Sequence, residues 1–388
     1  MERHFIHEER RMHTGVPSIR PARFGREREY VLEALSGDLA GDGPFVRKAA
    51  RHLASSVGTR WAMLAPSCTH ALELAALALR IGPGDEILMP SFTFVSTASA
   101  FALRGAIPVW VDIRPDTLNI DETKLEAAIT PRTKAIVVVH YAGVACAMDE
   151  VMAIARRHGL AVVEDAAHAY GAMYRNRPLG AVGDLGCFSF HSTKNISCGE
   201  GGALVTDRED LAELAEIIRD KGTDRARFFR GEVDKYTWRE LGSSYIMNDL
   251  TGAYLLGQLE SAGRHTAQRL ALWQKYYDEL GSVASRGDLL LPIVPDYAAH
   301  NAHLFVLRCE SLVVRTKLIE HLKKSGVQAS FHYVPLHSAP FGEEWGRFSG
   351  KDQYTTCESE KIVRLPLSSG HTLEDVEYVT SVVRRFFG

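Results

Sequence analysis

Short apolar runs recur along the first half of the chain, each followed by a stretch with helical spacing. Strands are expected at Trp61–Ala65, Glu86–Met89, Pro108–Val111, Lys134–His140, Leu160–Glu164, Leu185–Phe190 and Ala203–Val205. Helices are expected at Thr69–Ile81, Val95–Leu103, Glu122–Ile129, Asp149–His158 and Glu209–Asp220. Runs that are apolar throughout, rather than alternating, need cover on both faces. The pattern therefore predicts an α/β fold with a mostly parallel sheet between helices.

A chain of 388 residues exceeds one ordinary core, so a second unit is expected. Residues 1–14 read as a loose N-terminal extension, followed by a helix over Glu27–Leu39, the turn Gly41-Asp-Gly-Pro44 and a helix over Phe45–Ser56. Residues 15–260 form the expected large domain. A long helical pattern from Asp249 to Leu280 bridges to a small α+β domain over 261–388. Its elements are strand-like Leu304–Cys309, helix-like Arg315–Lys324, strand-like Gln328–Tyr333 and helix-like Leu373–Phe387.

Bulk chemistry narrows the function. Hydrophobic residues make up 46% and charged residues 24%, as in soluble globular proteins. A net charge of −3 without a long basic run speaks against nucleic acid or an anionic membrane as partner. No apolar stretch approaches the roughly 18 residues of a membrane span. The segment Met1–Arg11 is too charged for a signal peptide, so a cytoplasmic location is expected. The six cysteines form no C-x-x-C pair and no Cys/His cluster with zinc spacing, so no metal is expected.

The chemistry concentrates near Lys194. It stands in a Ser/Thr-rich loop, His191-Ser-Thr-Lys194, just after the Leu185–Phe190 run. The neighbouring run Leu160–Glu164 is followed directly by Asp165. A pyridoxal phosphate (PLP) enzyme needs these two groups. A lysine amine forms a Schiff base with the cofactor aldehyde. A carboxylate keeps the pyridine nitrogen protonated, so that the ring acts as an electron sink. Pro66-Ser-Cys-Thr69 lies between a strand and a helix, where free backbone N–H groups favour a phosphate. An ordinary N-cap by Ser67 or Thr69 explains the same residues. Ser189 and Ser192 offer further hydroxyls, Ser91-Phe-Thr-Phe94 an aromatic face for the ring, and His168 a contact to the ring or its phenolic oxygen. Gly199, Gly201 and Gly202 follow a loop and open a strand, the wrong order for a dinucleotide-binding motif, and read as a flexible turn.

Together these segments resemble the DegT/StrS family of PLP-dependent nucleotide-sugar aminotransferases, over about residues 15–388. The likeness is carried by Gly41–Pro44, Pro66–Thr69, Met89-Pro-Ser-Phe-Thr-Phe-Val-Ser-Thr97, Val163–His168, Cys187–Asn195 and Gly199-Glu-Gly-Gly202. Phe228-Phe-Arg-Gly231, Asp234–Arg239 and His332-Tyr-Val-Pro-Leu-His337 add to it. Val111–Asp121 and His140–Cys146 resemble the dTDP-4-amino-4,6-dideoxygalactose transaminases within the family.

The resemblance implies a fold-type-I enzyme. Lys194 is its catalytic lysine, and Asp165, Phe94, His168, Ser189 and the backbone of Cys68 and Thr69 hold PLP. His168 stands where many members carry Gln. Lys235 and Tyr236 are the candidate sugar-nucleotide contacts. L-glutamate is the implied donor and dTDP-4-keto-6-deoxyglucose the implied acceptor, with a UDP-linked 4-keto sugar or a 4-keto pentose as the alternative. A PLP-binding sensor without turnover is the alternative of another class. Ser244 and Ile246 replace the Asn and Arg of many members, so the family's cross-subunit phosphate contact is not implied here. A homodimer with shared sites is. The long segment Phe228–Ser244, with Arg230, Tyr236 and Trp238, has the composition of an interface or substrate loop.

Overall fold

The computed structural model describes residues 15–388; the expected extension over 1–14 lies outside them. Among the described residues, eight strands form the main sheet. Their order is Trp61–Ala65, Gly202–Thr206, Leu185–Ser189, Ala161–Asp165, Thr133–Val139, Glu86–Pro90, Ile107–Val111 and Arg347–Phe348. Neighbours pair in parallel except around Gly202–Thr206, which is antiparallel to both strands beside it. The expected mostly parallel α/β sheet is therefore present.

The continuous apolar runs are buried on two sides. Ile136 and Val138 face the helices Pro44–Val57, Met148–His158 and Asp249–Glu260. Ala135 and Val137 face the helices Cys68–Ala78, Val95–Ala102 and Glu209–Arg219. This period of two sends alternate residues of one strand into opposite cores.

A second core lies between the helices Ala262–Ser285, Leu312–Lys324 and Leu373–Phe387 and a three-stranded sheet of Leu289–Leu290, Phe305–Cys309 and Ile362–Leu365. The last helix starts where a capping box demands it: Thr372 accepts from Asp375 N, and the Asp375 carboxylate accepts from Thr372 N. Three segments cross between the units, one of them Ala298–Ala299, which pairs with Met173–Tyr174. Val16 belongs to the second core and bridges to Val327. Arg347–Phe348 extends the main sheet, and Arg347 pairs with the fully buried Glu86 at 2.9 Å.

Four expected elements differ. The helix expected over Glu27–Leu39 ends at Ala34, where Ser36 and Gly37 close the turn on Glu33 and Ala34 carbonyls. The helix expected over Glu122–Ile129 is one 3₁₀ turn and one α turn, stopped ahead of Pro131. The long pattern Asp249–Leu280 breaks at Ser261, whose hydroxyl donates to the Gly257 and Gln258 carbonyls and competes with the helical ladder. Gln328–Tyr333 is not a strand; only Ser330 bridges, to Arg364, because this segment turns to line the cavity described below.

Arg269, on the Ala262–Ser285 helix, is buried and donates to the carbonyls of Ala302, His303 and Leu367. Arg269→Ala leaves those carbonyls unpaired and should destabilise the fold by on the order of 3 kcal/mol. A thermal midpoint equal to wild type would contradict this.

Candidate active site

The carboxyl ends of the parallel strands share one edge, where open α/β sheets bind ligands. A cavity of about 610 Å³ lies there. Cys68, Thr69, Phe94, Asp165, His168, Ser189 and Lys194 all line it, with Val139 and Leu367 among its apolar walls.

Asp165 is the last residue of its strand and 5% exposed. Thr97 Oγ1 donates to it at 2.6 Å and Ala167 N at 3.1 Å. Thr97 is oriented in turn by Thr93, at 2.7 Å. Burial pushes the Asp165 carboxyl above its ordinary range, against the pull of Thr97, Ala167 and Lys194. A cation at this carboxylate would reverse that shift.

Lys194 sits in a loop closed on itself by Phe190 N to Gly201 O and Ser192 N to Gly199 O, both 2.8 Å. Its amine has no hydrogen bond or ion pair among the described residues. Burial lowers its proton affinity, partly offset by Cys68 and Asp165, and Arg364 lowers it further. The next residue, Asn195, is buried and ties the loop to the second unit through Asn301 O and His303 Nδ1, each at 2.9 Å.

Cys68 and Thr69 open the Cys68–Ala78 helix. Ser67 is its cap and accepts from His70 N. The first amide bonded within the helix besides His70 is Ala71, to Ser67 O. The amides of Cys68 and Thr69 therefore remain for a ligand, and the capping and phosphate readings hold together. Thr69 Oγ1 meets Ser96 Oγ at 2.8 Å. Opposite them Gly202 passes so close that a Cβ would lie 2.3 Å from Ser67 C and 2.4 Å from Cys68 N. The glycines after the lysine loop thus supply space more than flexibility: only Gly199 needs positive φ, at +87°.

Phe94 caps the Val95–Ala102 helix and leaves its ring 58% exposed at the cavity. His168 is buried, stacked on His303 at 4.1 Å, with Nδ1 unpartnered. Burial and the nearby Lys194 hold it neutral.

Some expected residues lie elsewhere. Ser192 is exposed and does not line the cavity. Lys235 and Tyr236 lie in an exposed segment, Tyr236 packing on Phe228 at 5.9 Å, and do not line this chain's cavity either. Ser244 forms an isolated bridge with Asp220, and Ile246 fills space that any side chain at Gly41 would need. Sequence reasoning assigned no role to His303, His332, Tyr333 or Arg364, which complete the wall from the second unit.

A half-buried amine without a partner among the described residues, a buried carboxylate and a helix N-terminus around one cavity are the groups a PLP-dependent transaminase needs. The orphaned His168 Nδ1 and the narrow Gly202 cradle fit the same group. The profile of the DegT/DnrJ/EryC1/StrS aminotransferase family matches residues 23–384, and the chain belongs to that family. The spore coat polysaccharide biosynthesis protein SpsC of Bacillus subtilis (strain 168) is 37% identical over 92% of this chain and 93% of its own. DesV of S. venezuelae, solved with a ketimine intermediate, superposes with a TM-score of 0.86 at 31% identity, covering 93% of this chain and 94% of its own. The PLP form of the putative sugar aminotransferase Spr1654 from Streptococcus pneumoniae gives 0.85 at 26% identity, covering 96% and 97%. The protein is a sugar aminotransferase, and its cofactor is PLP. No cluster of three metal-ligating side chains occurs among the described residues, and no helix there is long and apolar enough to cross a membrane.

Gly202→Ala should drive the strand and the helix N-terminus apart. Overpacking of this kind costs about 1–3 kcal/mol, roughly a tenfold to hundredfold loss of PLP affinity if the strain falls on the cradle. Titration of the apoenzyme with PLP checks this; an unchanged affinity would show that the cradle does not hold the cofactor.

Proposed function

We propose that this enzyme transfers the amino group of L-glutamate to the 4-keto carbon of a nucleotide sugar, with dTDP-4-keto-6-deoxyglucose as the preferred acceptor. The observation that carries the reading is the Lys194 amine, half-buried in the cavity wall with Asp165 and the first turn of the Cys68–Ala78 helix, and without a partner among the described residues. The resemblance of Val111–Asp121 and His140–Cys146 to the dTDP-sugar subgroup supports the choice of acceptor.

PLP bound here supplies an aldehyde carbon for amines and an electron-poor ring that drains charge from the donor's α-carbon. The Cys68 and Thr69 amides and the Ser189 hydroxyl hold its phosphate. Asp165 keeps the ring nitrogen protonated, a partner that also relieves its own burial. Phe94 would cover a ring face, and the neutral His168 would contact the ring or its oxygen. Lys194 Nζ would anchor the cofactor covalently and hold the proton at the donor's reacting carbon. Its depressed proton affinity favours the neutral amine that both tasks require.

The working unit we propose is a homodimer with shared sites. Its support is the arm around residues 225–241, which exposes Phe229 by 73% and Trp238 by 75%. Lys235 and Tyr236, on the same arm, would reach substrate in the partner's cavity. Sedimentation of dilute protein tests this, and a fully active monomer would overturn it.

Lys194→Ala should leave a folded protein that binds PLP without a covalent bond and does not transaminate. Normal turnover would remove Lys194 from its role. For the acceptor, the specificity constant for dTDP-4-keto-6-deoxyglucose should exceed that for UDP-linked 4-keto sugars, and the reverse order would refute the dTDP assignment. If glutamate leaves the yellow band of the holoenzyme unchanged, L-glutamate is not the donor.

A further inference from the structure

Among the described residues Arg364 is the one arginine lining the cavity, and no carboxylate there pairs with it. It lies on the Ile362–Leu365 strand, with its backbone fixed to Ser330 by hydrogen bonds of 2.7 and 3.2 Å. The acids lining the cavity are Asp165 and Glu200, and neither pairs with it. Glu200 instead faces His191 at 3.4 Å.

The guanidinium's only hydrogen bond among the described residues runs from Nη1 to His332 Nε2, at 2.7 Å. Since Nε2 accepts, His332 is neutral with its proton on Nδ1, which faces Tyr141 Oη at 3.1 Å. Burial and the Arg364 charge hold the His332 pKa down to about 2. Arg364 is thus oriented by a neutral partner. Its Nε is buried without an acceptor. Nε and Nη2 share one edge of the guanidinium, the fork that matches a carboxylate with two parallel bonds.

Its place in the cavity selects among anions. Arg364 depresses the proton affinity of Lys194, His168 and His303. His332, to which Arg364 is bonded, stacks on His168 at 6.2 Å, so the arginine stands on the His168 side of the cavity.

We propose that the Nε–Nη2 edge of Arg364 binds a carboxylate of the amino donor and that the Tyr141–His332 pair positions it. This rests on the donor reading above, and the experiment separates the two. The holoenzyme is mixed with L-glutamate without sugar, and loss of the yellow band is followed at increasing glutamate concentrations. In Arg364→Gln the half-saturating glutamate concentration should rise roughly 10- to 100-fold, with PLP affinity and thermal midpoint kept. Arg364→Lys, which retains a charge but not the fork, should fall between. 4-Aminobutyrate lacks glutamate's α-carboxylate, and L-2-aminobutyrate lacks its side-chain carboxylate. Whichever analogue reacts equally with wild type and Arg364→Gln identifies the carboxylate that is held.

His332→Ala should give the glutamate defect in weaker form without changing that discrimination. Equal glutamate saturation in wild type and Arg364→Gln overturns the proposal while leaving the donor reading intact. So does a lost affinity for dTDP or UDP with glutamate saturation unchanged, which would assign Arg364 to the nucleotide diphosphate. A wild-type band that glutamate does not bleach overturns the donor reading itself, and this proposal with it.

Discussion

The site depends on one buried junction of side-chain amides. Asn195, next to the lysine, reaches Asn301 O and His303 Nδ1. Asn301 reaches back to the carbonyls of His168 and Tyr170, at 2.8 and 2.9 Å. Arg269 holds the next two carbonyls of the same loop. Three pieces distant in sequence, the lysine loop, the turn after Asp165 and residues 301–303, are thereby locked together. A buried network of this kind specifies geometry because each unmade bond is costly. Gly143 shows how tight the fit is: a Cβ there would lie 1.9 Å from Asn301 Oδ1.

That junction explains why the cavity can be built from two units without a loose seam. The main sheet presents the Asp165 and Ser189 strand ends and the Cys68 helix. The second unit brings His303, His332, Tyr333 and Arg364 over them. Tyr141 spans the divide, with its ring against Phe92 at 4.9 Å and its hydroxyl at His332. The Arg347–Phe348 strand fastens the far edge through Glu86, which also takes Arg132 at 2.6 Å.

The half of the site on the main sheet was legible in the sequence because local signals mark it. Apolar runs ending in Asp165 or in the Ser-rich loop before Lys194 declare both the strand and its functional end. The other half carries no such signal. Gln328–Tyr333 has strand composition but spends its side chains on the cavity, so composition and conformation part company. Asn195 and Asn301 are small polar residues whose importance lies in long-range bonds that no periodicity reveals. Lys235 and Tyr236 were singled out by likeness alone, and a single chain keeps them away from its own cavity. One available sign passed unused: Arg364 interrupts the apolar run Ile362–Leu367, and a charge inside a buried strand needs a reason.

The electrostatic design follows from the same burial. His168, His303 and His332 crowd the cavity, yet desolvation and neighbouring cations hold each below the ordinary histidine range. Near neutral pH they are donors and acceptors without charge. Charge within the buried wall is thereby left to Lys194, Asp165 and Arg364. A cation close to a lysine disfavours the lysine's charged form. The cost falls on Lys194, whose amine is pushed toward the neutral form. A lysine that must act as nucleophile and base gains from that neighbour, so Arg364 serves the chemistry even before any anion reaches it.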